Sequence, residues 1–428
     1  MLECFRQYLL KNKARLQSVS SLLSINVLMA GLGFFTTVVI ANKIGKSDFG
    51  VYVYAVAIGV YGQVFVRAAA DRVLVREIIH FPKKANDIVF ASIFLRTVIF
   101  VLCLSILIFY KQFSGVGNWL SFPFMLIIIA HTLKGFDLQG VFDGLNKITK
   151  HAMCHLVERL SFFIIIWAGL IFSPDSFSLQ WIAYSLIFSV ILYLCVQFKI
   201  LPIKISMPMK GQVLGVVLKL LKKSFWVWLA AILALSFGTL NRVVLANEYG
   251  SLELGGYAAV AQIGAIATMF IAQIARVGNP LMAKITSIEA SQSDRVDFVY
   301  KYCATMFVCS SVICLPLFLF PSKIISTLFV SEYSESGYLI RYFCLYIILH
   351  SLGLVASQYV VSARKEFGYF KGVFIGALLS VFLCYTLIPK YGGLGAILAL
   401  VFSHGISIGV YFYIMLRDIR NSKIDEKK

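Results

Sequence analysis

Gly45-Lys46-Ser47-Asp48-Phe49-Gly50-Val51-Tyr52 returns almost half a chain later as Gly250-Ser251-Leu252-Glu253-Leu254-Gly255-Gly256-Tyr257. Glycine, an acid, a bulky apolar residue, glycine and tyrosine keep one register in both copies. Each copy closes one long apolar run and opens the next, so each reads as the first outer turn of a half. A duplicated bundle of membrane helices accounts for such a pattern. Duplicated bundles are a common build for transporters, with the substrate path between the halves.

The runs on either side of these turns bear the reading out. The 428 residues are 60% hydrophobic and 14% charged, with a mean hydropathy of +0.85. Soluble domains carry about a quarter of their residues as charges, so this is no water-soluble globule. Crossing a bilayer takes about 20 apolar residues per helix. Such stretches run over 19–41, 49–66, 88–110, 119–133, 156–172 and 179–198 in the first half. In the second they run over 225–246, 255–274, 298–320, 338–361, 367–388 and 394–416. Only helices or closed barrels satisfy backbone polar groups in lipid, and runs this long are helical. The expected fold is an all-α integral membrane protein of about 12 transmembrane helices, in two six-helix repeats around a central cavity. Residues 1–198 form the first bundle, 199–223 a basic cytoplasmic linker, and 224–428 the second bundle.

A net charge of +19 invites a nucleic-acid reading, but the distribution excludes it. The outer loops hold only Lys43, Lys46, Lys111, Lys323 and Lys390. Apart from Arg96, Arg159, Arg242 and Arg341, within spans or at their ends, every other Lys and Arg falls in an inner segment. That asymmetry is the positive-inside rule, and it places both termini in the cytoplasm. The first apolar run is too long for a cleavable signal and stays as an anchor. No cysteine lies in an expected outer loop and none forms a CxxC pair, so neither a disulfide framework nor a metal site is expected. The loops leave no room for a soluble catalytic domain. In the linker, Lys199, Lys204, Lys210, Lys219, Lys222 and Lys223 alternate with apolar residues, as in an amphipathic helix lying on the inner leaflet or recruiting an anionic substrate.

Five motifs resemble those of a known family. Ile44-Gly45-Lys46-Ser47-Asp48-Phe49-Gly50-Val51-Tyr52 is similar to the signature of polysaccharide-export flippases, a branch of the multidrug/oligosaccharidyl-lipid/polysaccharide exporter superfamily. Asp71-Arg72-Val73-Leu74-Val75-Arg76-Glu77 resembles the segment following the second span there. Gln139-Gly140-Val141-Phe142-Asp143-Gly144-Leu145-Asn146-Lys147 resembles the inner loop between spans four and five. Asn241-Arg242-Val243-Val244-Leu245 and Pro389-Lys390-Tyr391-Gly392-Gly393-Leu394-Gly395-Ala396 match the seventh and the eleventh-to-twelfth segments. The resemblance covers essentially the whole chain. It implies an O-antigen-type flippase of the bacterial cytoplasmic membrane. Such a protein moves an oligosaccharide on undecaprenyl pyrophosphate from the inner to the outer leaflet, with no enzymatic step and no cofactor. The lipid-linked oligosaccharide and membrane lipids are the implied partners, polysaccharide-assembly proteins are further candidates, and nucleic acid is not a partner. Family members often carry Asp before the arginine of the seventh span. Here that residue is Asn241.

Polar residues at membrane depth face a bundle interior or a water-filled cavity. At about 100° per residue, Gln262, Gln273 and Arg276 fall near 0°, 20° and −40°, on one stripe of the eighth span. Tyr52, Gly59, Gln63 and Arg67 fall within a sector of about 80° on the second. Two corresponding helices thus each offer a polar, partly cationic face for a substrate cavity; the alternative is that Arg67 and Arg276 reach from helix ends to lipid headgroups. Arg96 lies about 12 Å into its span at 1.5 Å per residue. It reads either as a cavity cation or as half of an ion pair with Asp71 or Glu158. Asn241 and Arg242, near the outer end of the seventh span, complete the expected substrate-binding set of Arg67, Arg96, Asn241, Arg242, Gln262, Gln273 and Arg276. Arginine suits a phosphate because its planar fork donates twice and keeps its charge. No Asp or Glu sits in the middle of a span, and His131, His350 and His404 read as packing residues. Transport is therefore expected to lean on membrane potential or the lipid gradient more than on a proton gradient. Gly31, Gly33, Gly264, Gly376 and Gly409 read as close-packing positions.

Two other functions fit the composition less well. A small-molecule drug antiporter of the same superfamily handles substrates that are often cationic, and this lining has the wrong sign. A polytopic glycosyltransferase or polymerase needs paired carboxylates and usually a large outer loop.

Overall fold

A computed structural model describes residues 13–68, 71–113, 121–203, 212–286 and 292–425. Every regular element among them is helical. In chain order they are α1 (Lys13–Val66), α2 (Asp71–His80), α3 (Ala85–Phe113), α4 (Phe122–Leu133), α5 (Gln139–Gly144), α6 (Ile148–Phe172) and α7 (Leu179–Lys199). There follow α8 (Gln212–Ala234), α9 (Thr239–Ile285), α10 (Gln292–Leu319), α11 (Pro321–Leu328), α12 (Leu339–Ser362) and α13 (Glu366–Asp425). Among the described residues, nine helical stretches are long and apolar enough to cross a membrane. Their outward residues are oily: Phe172, Phe109, Ile106, Leu315 and Phe382 are all exposed. Water would not tolerate so many exposed apolar side chains, whereas hydrocarbon solvates them. This is a multi-pass membrane protein.

Three of the long helices are each two helices meeting at one glycine. Gly45 breaks α1 at φ 80°, ψ 167°, and Gly250 breaks α9 at φ 80°, ψ −174°. The two repeated motifs therefore carry one backbone conformation, and it is a left-handed one that a side chain opposes. Gly392 breaks α13 at φ 56°.

The chain divides into two compact units. The first comprises Met1–Ile40 and Ile58–Leu229, the second Ala41–Ala57 and Ala230–Lys428. This division differs from the sequence expectation in two places. The linker helix belongs to the first unit, and the first repeated turn belongs to the second.

In the first unit a core of Leu74, Ile78, Ile88, Val89, Leu138, Val141 and Phe142 joins α2, α3 and α5, and Val217 and Leu220 of α8 are buried in it. Lys223 Nζ donates to Glu77 Oε2 at 2.6 Å. The apolar face expected to lie on lipid is thus taken largely by protein, leaving Leu214 and Leu218 exposed. Lys204 and Lys210 lie outside the described residues.

In the second unit the two repeated turns press against each other. A Cβ on Gly50 would sit 1.8 Å from the Ser251 carbonyl oxygen, and one on Gly255 would sit 2.0 Å from that of Lys46. Gly50 and Gly255 are equivalent in the repeat, as are Lys46 and Ser251, so the contact is reciprocal about a local two-fold. Neighbouring side chains fasten it. Ser47 and Ser251 hydroxyls lie 2.9 Å apart, Tyr54 donates to Asn247 Oδ1, and Glu332 Oε2 accepts from the Lys46 N–H. Asn42 bonds Leu328 O and the Val330 N–H, and Tyr333 donates to Ala41 O. Glu253 takes the third break into the same assembly by accepting from the Gly393 N–H at 3.0 Å. Elsewhere, a Cβ on Gly264 or Gly376 would meet Phe343 or Ser407 at 2.2 and 1.8 Å, as close packing requires. Gly31 and Gly409 meet nothing within 4 Å, so packing does not explain them.

Candidate functional site

Charged side chains of the first unit gather where α4 breaks off. The helix runs into a short turn, Lys134–Phe136, and Gly135 sits too close to Val66 and the Gln63 carbonyl to carry a side chain. Carbonyls at a helix end have no intrahelical donor, and inside a membrane protein water does not supply one. Arg96, on α3 and 0% exposed, fills the need. Its Nη1 donates to Gly135 O at 2.9 Å and to Asp137 O, and its Nη2 lies 3.3 Å from Asp71 Oδ1. Of the two sequence readings for Arg96, the geometry favours the ion pair with Asp71. A wholly buried guanidinium directed at three acceptors is placed to hold the fold.

Asp137 is the hub of the cluster. Its Oδ2 accepts from Arg67 Nη2, its Oδ1 accepts from His151 Nε2 at 2.6 Å, and the Gln139 N–H also reaches Oδ1. Arg67 lies 3.2 Å from Asp71 Oδ2 as well, yet its side chain stays a quarter exposed. One turn along α6, His155 Nε2 lies 3.6 Å from Asp137 Oδ2 while its Nδ1 lies 3.5 Å from Glu158 Oε2. Lys134 Nζ pairs with Glu158 Oε1 at 2.6 Å. The His155 ring stacks on Tyr193, whose hydroxyl donates to Gln197 Oε1. Gln197 in turn accepts from the Leu138 N–H and donates to Phe136 O.

Asp137, His151 and His155 bring one ligand atom each to within 4.8 Å of the others. Metal spacing alone does not make a metal site. Arg67 already occupies Asp137 Oδ2, and its fixed charge opposes a second cation there. Sequence reasoning passed over His151 and His155. Their i, i+4 spacing, with Glu158 three residues on, puts all three on one face of α6, and that was the available signal.

The other sequence-predicted residues lie in the second unit. Asn241 is fully buried, donating through Nδ2 to Ala396 O at 2.9 Å and accepting from Cys384 Sγ at 2.8 Å. Both ends of its amide are engaged, so it reads as a lock between α9 and α13. Arg242, its neighbour, is half-buried, and its Nε is buried with no hydrogen-bond partner. Gln273 likewise is half-buried with an unpartnered Oε1, Gln262 is half-buried, and Arg276 is exposed. The structure therefore joins Arg67 with Arg96 in one cluster and places Asn241, Arg242, Gln262, Gln273 and Arg276 in the other unit.

Known proteins with related sequence or structure agree with the membrane fold. The polysaccharide biosynthesis protein family matches residues 15–286. A capsular polysaccharide biosynthesis protein of Staphylococcus aureus, CapF, is 26% identical over 187 residues, covering 42% of this chain and 47% of CapF. The chain thus spans about half the length of the curated relative it matches. Among solved structures, an inward-facing multidrug resistance MATE family transporter of the MOP superfamily aligns with TM-score 0.70 and 12% identity, over 92% of this chain and 95% of the other. The lipid II flippase MurJ, in an inward closed conformation, aligns with TM-score 0.67 and 13% identity, over 94% and 90%. At such identities the likeness is one of fold.

Proposed function

The chain belongs to the polysaccharide biosynthesis protein family, and we propose that it is a flippase for an undecaprenyl-pyrophosphate-linked oligosaccharide. It resides in the bacterial cytoplasmic membrane with both termini inside. Among the described residues, three of nine membrane-length stretches are broken at Gly45, Gly250 and Gly392, which supports a count of about twelve crossings.

The observation that carries the reading is polar capacity left over in apolar helices and at their ends. Arg67 is part-exposed with an unpartnered Nε, Arg242 has an unpartnered Nε, Gln273 has an unpartnered Oε1, and Arg276, at the end of its stretch, is exposed. Groups such as Arg242 and Gln273 within a membrane helix cost several kcal/mol unless they meet water or ligand. Three of the four are arginines, the side chain suited to pyrophosphate oxygens. A sugar–pyrophosphate headgroup cannot cross hydrocarbon, so these groups replace its water while the lipid tail stays in the bilayer. Alternating access then exposes the headgroup to the outer face, and the Gly50–Gly255 turn contact is the closure that parts.

The drug-antiporter alternative needs acids at the same depth to hold a cation. Competition separates the two. A radiolabelled polyprenyl-pyrophosphate disaccharide should bind the purified protein in lipid nanodiscs and be displaced by inorganic pyrophosphate but not by a cationic dye. Displacement by the dye alone would favour the antiporter.

A further inference from the structure

The His155 ring lies between two carboxylates, with Nε2 3.6 Å from Asp137 Oδ2 and Nδ1 3.5 Å from Glu158 Oε2. A neutral imidazole carries one N–H and can serve only one of these oxygens; the imidazolium has two and serves both. Around it, the turn after α1 brings Arg67, α2 and α3 bring Asp71 and Arg96, and α4 with the turn after it brings His131, Lys134 and Asp137. Asp143 comes from α5, His151, Cys154, Glu158 and Arg159 from α6, and Tyr193 from α7. Among those in direct contact, the fixed cations Arg67, Arg96 and Lys134 are matched by Asp71, Asp137 and Glu158. A proton on His155 is therefore surplus positive charge.

Asp137 Oδ2 is the shared point. It has two claimants, Arg67 and His155, both part-exposed, and of the two Arg67 has a second carboxylate to fall back on, Asp71 Oδ2 at 3.2 Å. When the imidazolium takes that oxygen, the guanidinium gives up one of its two carboxylates and has donors to turn toward an anion. We infer that His155, supported by His151 on the other Asp137 oxygen, is a proton-binding site. Its loading turns Arg67 into a phosphate-binding cation, so that proton and anionic headgroup bind together. In the step, one N–H bond forms on His155 at the expense of a proton from water, and no other covalent bond changes. This inference rests on the headgroup reading above for its ligand, and on the cluster geometry alone for its proton. It also revises the expectation that protons matter little, since the titrating groups lie where spans end and not at their middles.

The sign follows from charge. Acid loads the imidazole, so anion affinity rises as pH falls and is lost as His155 deprotonates. Coupling between sites is typically about 5- to 150-fold in affinity, which sets the expected range.

Two measurements on the full-length protein in nanodiscs test this. First, nitrogen-15 shifts of labelled histidine, assigned through His155→Gln, should show two N–H groups on His155 at about pH 7, where an unperturbed imidazole is mostly neutral. One bare ring nitrogen on the His155 signal at that pH would overturn the proton site without touching the headgroup reading. Second, calorimetry with inorganic pyrophosphate in two buffers of different ionisation heat should show tighter binding near about pH 7 than near about pH 10, with proton uptake at the alkaline end, where His155 is no longer fully loaded. His155→Gln should bind with flatter pH dependence and take up less proton, the ligand's own protonation being common to both proteins. Binding with equal proton uptake in wild type and variant overturns the linkage alone. No binding of pyrophosphate at either pH overturns the linkage together with the headgroup reading.

Discussion

The two units place their polar locks in chemically different ways. In the first, Arg67, Arg96 and Lys134 are tied to Asp71, Asp137 and Glu158, with two histidines between them. In the second, neutral groups do most of the bridging: Asn241 to Ala396 and Cys384, Ser380 to Ser236 O, and Ser351 to Ser310, beside one part-exposed ion pair of Lys365 with Asp418. Charges inside a low-dielectric interior bind strongly when matched and are costly when one is removed or added. Neutral hydrogen bonds change little with pH or with a passing anion. A duplicated design thus holds a buried charge cluster in its first unit and mostly neutral locks in its second.

Breaking the contrast should be easiest at Arg96. Arg96→Ala leaves Asp71 and two carbonyls without their buried donor and should cost about 3–5 kcal/mol, against about 1–3 kcal/mol for Asn241→Ala. Thermal unfolding in detergent measures both. Equal losses would mean that the charged cluster is no more demanding than the neutral one.

The turns test the symmetric part of the molecule. Gly50→Val and Gly255→Val each drive a side chain into an opposing carbonyl, and overpacking of this kind costs about 1–3 kcal/mol. Because the contact is reciprocal, the two losses should be similar in the same unfolding assay. A large loss at one and none at the other would show that the turns do not meet in this way.

Much of this was legible in the sequence. The repeated octet fixed the turns, and Gly45 and Gly250 share one backbone because only glycine tolerates that φ. The polysaccharide-export family was legible from five short motifs in order. What the sequence could not reveal was partnership. Arg96 and Asp71 are 25 residues apart, and only folding sets that guanidinium against a broken helix end. The same holds for Asn241 and Cys384, which meet across 143 residues. Periodicity gives the face of a helix but not what stands opposite it, which for Asn241 is Ala396 and Cys384. The linker helix is illegible for a related reason: Val217 and Leu220 suit lipid and protein equally, and only the position of α2 decides.

Smaller effects sharpen the second unit. Gln262→Ala and Gln273→Ala each remove a neutral hydrogen-bonding group and should weaken binding of a polyprenyl-pyrophosphate disaccharide by about 1 kcal/mol, or roughly fivefold. Lys390→Ala, beside the Gly392 break, should leave that affinity unchanged. A larger loss at Lys390 than at Gln273, in the same binding assay, would move the headgroup contact to the turn.

The most direct test of the central claim is transbilayer movement of the substrate itself. Purified protein is reconstituted into vesicles with a fluorescent polyprenyl-pyrophosphate disaccharide, and loss of signal to a membrane-impermeant quencher is followed over time. Wild-type protein should speed exposure of the lipid over that in empty vesicles. The Arg67→Ala, Arg276→Ala double variant, checked for equal folding, should fall close to the empty-vesicle rate. Movement by that variant at the wild-type rate, or no acceleration by the wild type, would contradict the account.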